Sequence, residues 1–241
     1  MIFQRFFGHD IDFSKAATMF TIHHLILICF ALISISATLH FAPKIKQSAN
    51  EKKIRHAIAI ALIVLEISYH IHNWTYPRIS VPLHVCSFAV IMNIILLYTN
   101  SKRIFNYAFF FGVLGGFMAL FIPNSLGYTY YNFRYYHFII LHSLIIAVPL
   151  YYYKAYAFRV SYKTMLRTFR FSVLAGITVY IINDFLGTNY WFVSYVPDNV
   201  SGFFPNWNVY IVTFIFTVFF TMNVLWLISN AKSIYIKKRS K

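Results

Sequence analysis

Val81-Pro82-Leu83-His84-Val85-Cys86-Ser87 sets a thiol and an imidazole beside a proline at the start of an apolar stretch. Proline suits the first turn of a helix, where its missing N–H costs nothing. A helix opened by Pro82 holds Cys86 about one turn in, where the helix dipole favours a thiolate. A Cys–His pair is the smallest set that supports covalent acyl transfer, and a histidine from another helix could be the base. The plainer reading makes Cys86 one small residue in a membrane helix, as Cys29 is.

Other residues of chemical interest recur along the chain. Glu66 and His70 are four apart, hence on one helix face and able to pair. His70-Ile71-His72 and His84-Val85-Cys86 resemble metal-ligand pairs. Residues two apart on a helix point about 200° away from each other, so neither pair chelates alone. His70, His84, His142 and Asp184 could do so only by converging from separate elements, and nothing in their spacing favours a metal over hydrogen bonding. No cofactor motif is present.

Seven apolar stretches must position these groups. They run roughly 17–40, 56–74, 82–98, 104–122, 136–153, 169–186 and 208–229. Each approaches the ~20 residues that cross a ~30 Å hydrocarbon core, so the sequence predicts an all-α polytopic membrane protein with seven transmembrane helices. No gap is long enough for a second domain, and residues 1–241 read as one. Lys and Arg fall in alternate gaps. The loops after the first, third and fifth spans and the C-terminal tail hold 17 of the 21 basic residues. The other side has Arg5, Lys15, Arg78 and Arg134. The positive-inside rule puts the N-terminus out and the C-terminus in, the split that an odd number of spans requires. Reporter fusions after Lys241 and within 195–202 check this: the first should report cytoplasm and the second the outside, and the reverse result would sink the topology.

Composition agrees. Hydrophobic residues make up 59% and charged residues 11%, against ~25% charged in soluble domains. The net charge of +15 follows membrane sidedness and forms no stripe, which argues against a nucleic-acid partner and for anionic inner-leaflet lipid. Two cysteines give no disulfide framework. Residues 1–16 are too polar and aromatic for a signal sequence and suit an interfacial helix with Phe3, Phe6, Phe7 and Phe13 in the headgroups. The aromatic segment 187–207 suits an interfacial belt or a lid.

Sidedness assigns depth to each intramembrane polar residue. Such residues are costly in lipid and generally face a bundle interior. Glu66 lies eleven residues past Arg55, about 16 Å along its helix and near the midplane. His70, His72 and Asn73 follow towards the outer end. His84 and Cys86, His137 and His142, and Asn183 and Asp184 occupy outer segments of three further helices, with Asn189 and Tyr190 just beyond. His, Cys, Glu and Asp thus meet in the outer half of the membrane. Asn93 and Asn223 read as interhelical glue. His23 and His24 read as packing or headgroup contacts.

The chain resembles the YwaF-like bacterial integral membrane proteins, related to eukaryotic transmembrane protein 164. The likeness rests on Pro82-Leu83-His84-x-Cys86, on Gly187-Thr188-Asn189-Tyr190, and on the seven-span layout. The eukaryotic relatives are regarded as cysteine-dependent acyltransferases that move fatty acyl chains between phospholipids. The resemblance implies Cys86 as acyl acceptor and His142 or His137 as base, with membrane lipid as the partner. Glu66 or Asp184 would orient the base, and Asn183 or Asn189 would donate to the oxyanion. The competing expectation is a transporter or lipid-binding protein whose histidines, Glu66 and Asp184 form a proton-coupled or ligand site. The bacterial plasma membrane is the expected location.

Overall fold

The computed structural model describes residues 2–9, 12, 20–75, 80–123, 128–198 and 200–239. Phe13, Lys15, Arg78 and Lys241, which enter the sequence reading, lie outside them. All regular structure among the described residues is helical. Among the described residues six helices are long and apolar enough to cross a membrane, and Val85–Thr99 is a shorter apolar one. The protein is therefore an all-α polytopic membrane protein. Its contacts cluster into two compact units, Met1–Ala157 and Phe158–Lys241.

The first unit holds α1 (Ile2–Phe7), α2 (Ile22–Gln47), α3 (Glu51–Trp74), α4 (Val85–Thr99), α5 (Lys102–Tyr107), α6 (Val113–Phe121) and α7 (Phe133–Ala155). Local chemistry sets the ends. Thr21 Oγ1 accepts from His24 N at 3.3 Å to start α2, and Ser101 Oγ accepts from Ile104 N to start α5. Such caps satisfy amides that have no intrahelical partner. Asn100 ends α4 in the left-handed conformation, φ 52°, which asparagine tolerates better than most residues. The chain then turns at once into α5. A π-helical turn, Ala108–Gly112, joins α5 to α6 and makes one 20-residue crossing of them.

The α7 helix is the hub of this unit. Leu27 of α2 packs with Tyr135 and Ile139 of α7. Ala31 and Ile35 of α2, Leu120 of α6 and Ile146 of α7 form a second cluster. Gly112 and Gly116, four residues apart, allow the backbones to close up. A Cβ on Gly112 would strike Ile145 O, and one on Gly116 would strike Ile146 Cγ1. Small residues at such spacing are what close packing in a membrane requires. Asn93 Nδ2 adds an interhelical bond to Ile145 O at 3.1 Å, the role the sequence suggests for it. The short α1 sets Phe6 edge-on and Phe7 tilted against Phe133 of α7.

A polar clamp ties the other end of this unit. Glu51 Oε1 accepts from Arg55 Nε at 2.8 Å, Tyr151 OH at 2.9 Å and Tyr156 OH at 2.7 Å. Arg55 Nη1 donates to Leu97 O. Tyr152 OH donates to Asn100 Oδ1 at 2.6 Å. The clamp joins α3, α4 and α7 on the side that the basic loops assign to the cytoplasm.

The second unit holds α8 (Tyr162–Leu186), two short 3₁₀ turns (Tyr190–Phe192 and Ser201–Phe203), and α9 (Trp207–Arg239). Ser161 Oγ caps α8 at Thr164 N, and Gly187 closes it at φ +61°, a conformation that glycine takes without strain. The aromatic segment between the helices folds onto its own unit. Trp207 Nε1 donates to Val193 O at 3.1 Å, and Tyr210 OH donates to Phe192 O at 2.9 Å.

Candidate functional site

Helix α4 starts at Val85, with His84 as its N-cap. The sequence suggested Pro82 as the opening residue. Pro82 instead lies in the irregular approach, where Leu83 N donates to Val81 O at 2.7 Å. The consequence for Cys86 is to move it closer to the helix end, to the second helical position. Phe88 N is the first amide bonded back, to His84 O at 3.0 Å. Among the described residues no acceptor is bonded to the amides of Val85, Cys86 and Ser87. These are the orphan donors of a helix N-terminus.

His142, two turns into α7, faces this point from across the bundle. Its Nε2 lies 3.1 Å from Cys86 Sγ. Its Nδ1 lies 2.7 Å from Phe138 O, one turn back on the same helix. That second contact fixes the tautomer. A carbonyl only accepts, so Nδ1 carries the proton. In the neutral ring the Nε2 lone pair then points at sulfur, and the Cys86 S–H donates to it. The orienting partner is a backbone carbonyl, where the sequence suggested Glu66 or Asp184.

The other α7 histidine is committed elsewhere. His137 Nε2 donates to Leu65 O at 2.9 Å, and its ring lies 5.7 Å from the Tyr69 ring. It bonds α7 to α3. Of the two candidates for base, only His142 contacts the thiol.

Glu66 and His70 pair as their spacing predicts, with Oε1 and Nε2 3.2 Å apart. The pair ends a directed chain. Asn73 Nδ2 donates to Ser80 Oγ at 3.1 Å, Ser80 OH meets His70 Nδ1 at 2.8 Å, and His70 Nε2–H reaches Glu66. Trp74 Nε1 donates to Ser80 O at 2.8 Å and holds the loop that carries this serine. The Glu66 carboxylate is within Coulombic reach of Cys86. His84 lies within such reach of His70 and His142. His70, His84, Cys86, His142 and Glu66 thus form one constellation in the first unit.

Asn183, Asp184, Asn189 and Tyr190 belong to the second unit. Asn183 is buried, and its side chain is fully engaged. Its Nδ2 donates to Tyr190 O and Ser194 Oγ, and its Oδ1 accepts from Thr188 Oγ1 and Tyr190 N. Asn189 Nδ2 donates to Tyr195 O, and its Oδ1 accepts from Ser194 N. Both asparagines order the segment after α8, and both donors of Asn183 are used. Asp184 is exposed and Tyr190 buried. Cys29 is exposed on α2.

A family model for TMEM164 matches residues 17–226. The chain belongs to the TMEM164 family. The matched span contains the Cys86–His142 couple and the Glu66–His70 chain, and it ends within the last crossing, Trp207–Ala231. No curated protein and no solved structure matches the chain. Among the described residues no three His, Cys, Asp or Glu side chains gather as metal ligands do.

The sequence reading missed two contributors. Ser80, two residues before Pro82, joins His70 to Asn73. Arg134 was counted only as a charge that sets orientation. Its spacing carried a signal: it precedes His137 by three and His142 by eight, which places all three on neighbouring faces of α7.

Proposed function

We propose that this TMEM164-family protein is a plasma-membrane enzyme that moves or hydrolyses phospholipid acyl chains through a thioester on Cys86. The observation that carries this is the Cys86–His142 contact, with the imidazole held in the tautomer a base needs. His142 Nε2 takes the Cys86 proton, and the thiolate attacks the carbonyl carbon of an acyl ester. Charge builds on the ester oxygen. The unpaired amides at the start of α4 are suited to receive it, since preorganised N–H donors at a helix N-terminus stabilise an oxyanion. The tetrahedral adduct collapses, the C–O bond breaks, and the lysolipid alkoxide takes the proton back from His142. The acyl thioester then passes to the hydroxyl of a second lysolipid, or to water, by the same steps in reverse order.

The test is direct. Purified protein incubated with a phospholipid should carry an acyl mass on the peptide containing Cys86, and hydroxylamine should remove it. An unmodified Cys86 after turnover of lipid would exclude the covalent route. Unchanged lipid in the presence of active transport would move the function to the Glu66–His70 chain, as a proton-coupled or ligand site.

A further inference from the structure

Among the described residues no carboxylate pairs with Arg134, whose hydrogen-bond partner is Tyr69. Its guanidinium lies over the Tyr69 ring at 4.1 Å and is 5.6 Å from the Tyr128 ring centroid. Its Nε and Nη1 are buried and have no hydrogen-bond acceptor. The ion pairs Glu51–Arg55 and Glu66–His70 do not include it. The groups its charge acts on are His72, His84, His137 and His142 together with the two tyrosines. None of the imidazoles can neutralise it. A buried charge with unfilled donors is costly unless an anion completes it.

We infer that Arg134 binds the phosphate of the phospholipid whose acyl ester is presented to Cys86. This rests on the acyl-transfer reading above and names the part of the substrate that the site recognises. Depth supports phosphate. Arg134 is in the first turn of α7, at the end assigned to the outer surface. His142 is eight residues deeper, about 12 Å along the helix. In an outer-leaflet glycerophospholipid the phosphate lies at the surface and the ester carbonyls lie below it, towards the chains. The order Arg134, then Cys86–His142, follows that order. A free fatty acid offers no second anion above its reacting carboxyl group. Guanidinium also suits the ligand, because its planar fork of donors matches phosphate oxygens.

The experiment uses full-length Cys86→Ser protein in a neutral detergent, so that binding is read without turnover. Dioleoylphosphatidylcholine and dioleoylglycerol, with identical chains, are titrated and followed by tryptophan fluorescence. The parent should prefer the phospholipid. Arg134→Gln should reduce that preference by about 10- to 100-fold, the scale of hydrogen bonds to a charged group. Arg134→Lys keeps a cation above Tyr69 and preserves folding. It should lose about threefold or more, because one ammonium cannot reproduce the fork. An unchanged preference in a folded variant of either kind overturns the assignment. So does abolition of lipid preference by millimolar inorganic phosphate, which would give the site to a soluble anion. The two readings fail separately. A missing Cys86 adduct with intact Arg134-dependent preference sinks the chemistry alone, and an adduct with no such preference sinks the phosphate site alone.

Discussion

Cells carrying Cys86→Ser should lose the acyl remodelling that the wild-type protein produces, and His142→Ala should lower it by about 10²- to 10⁴-fold, the usual contribution of a positioned general base. The serine keeps the size of the side chain and can still hydrogen-bond to Nε2, so folding should be retained. What it loses is an acidic, polarisable nucleophile. A hydroxyl is a poor replacement, because the imidazole must remove a far less acidic proton. His142→Ala leaves the thiol without its acceptor 3.1 Å away. Cys29→Ser should be neutral, since Cys29 is exposed on α2. Lipid mass spectrometry of cells expressing each variant at equal protein level reads the result. Wild-type profiles in the Cys86→Ser strain would end the cysteine mechanism.

The parts of this site that the sequence made legible share one property: each follows from local period or from the cost of polar groups in lipid. Glu66 and His70 pair because helical spacing puts residues four apart together. Cys86 and His142 meet at 3.1 Å, in keeping with the cost of turning polar groups to lipid. The seven apolar helices are readable for the same reason, although α4 is only 15 residues long. What was not legible depends on packing. Proline at 82 suggested a helix start, but proline is equally at home in the irregular approach to one. The carboxylate expected behind His142 proved to be Phe138 O, and a backbone carbonyl leaves no trace in a sequence. Asn183 and Asn189 looked like oxyanion donors by type. Both are engaged in ordering the segment after Gly187, a constraint visible only once the chain has turned. Arg134 was hidden by its use as a topology charge, since a charge counted for orientation can also face inward.

Glu51→Ala should destabilise the first unit by about 3–5 kcal/mol, the cost of breaking a buried ion pair from one side. Glu51 looks like an ordinary loop-edge acid in the sequence, beside Lys52 and Lys53. In the structure one oxygen accepts from Arg55, Tyr151 and Tyr156. The Arg55 side chain is only 7% exposed and that of Glu51 12%, so solvent cannot replace the lost partner. Alanine therefore strands the Arg55 charge and frees two tyrosine hydroxyls in one step. Arg55 also holds Leu97 O near the end of α4, so the damage reaches three helices. Glu51→Gln keeps the shape and one carbonyl acceptor while removing the charge. It should cost less, about 2 kcal/mol, in line with the loss of charge-assisted bonds. Combining Glu51→Ala with Arg55→Met should recover part of the loss, because a pair replaced by apolar residues no longer leaves an unpaired ion. Unfolding of purified protein in mixed detergent measures all three. If Glu51→Ala falls within 1 kcal/mol of wild type, the clamp is hydrated and does not hold the helices. If the double variant is as unstable as the single one, the cost comes from lost packing and not from the stranded charge. The clamp lies at the opposite end of α3 and α7 from Cys86 and His142. Its loss should therefore lower the amount of folded protein while the Cys86 adduct still forms on the fraction that folds.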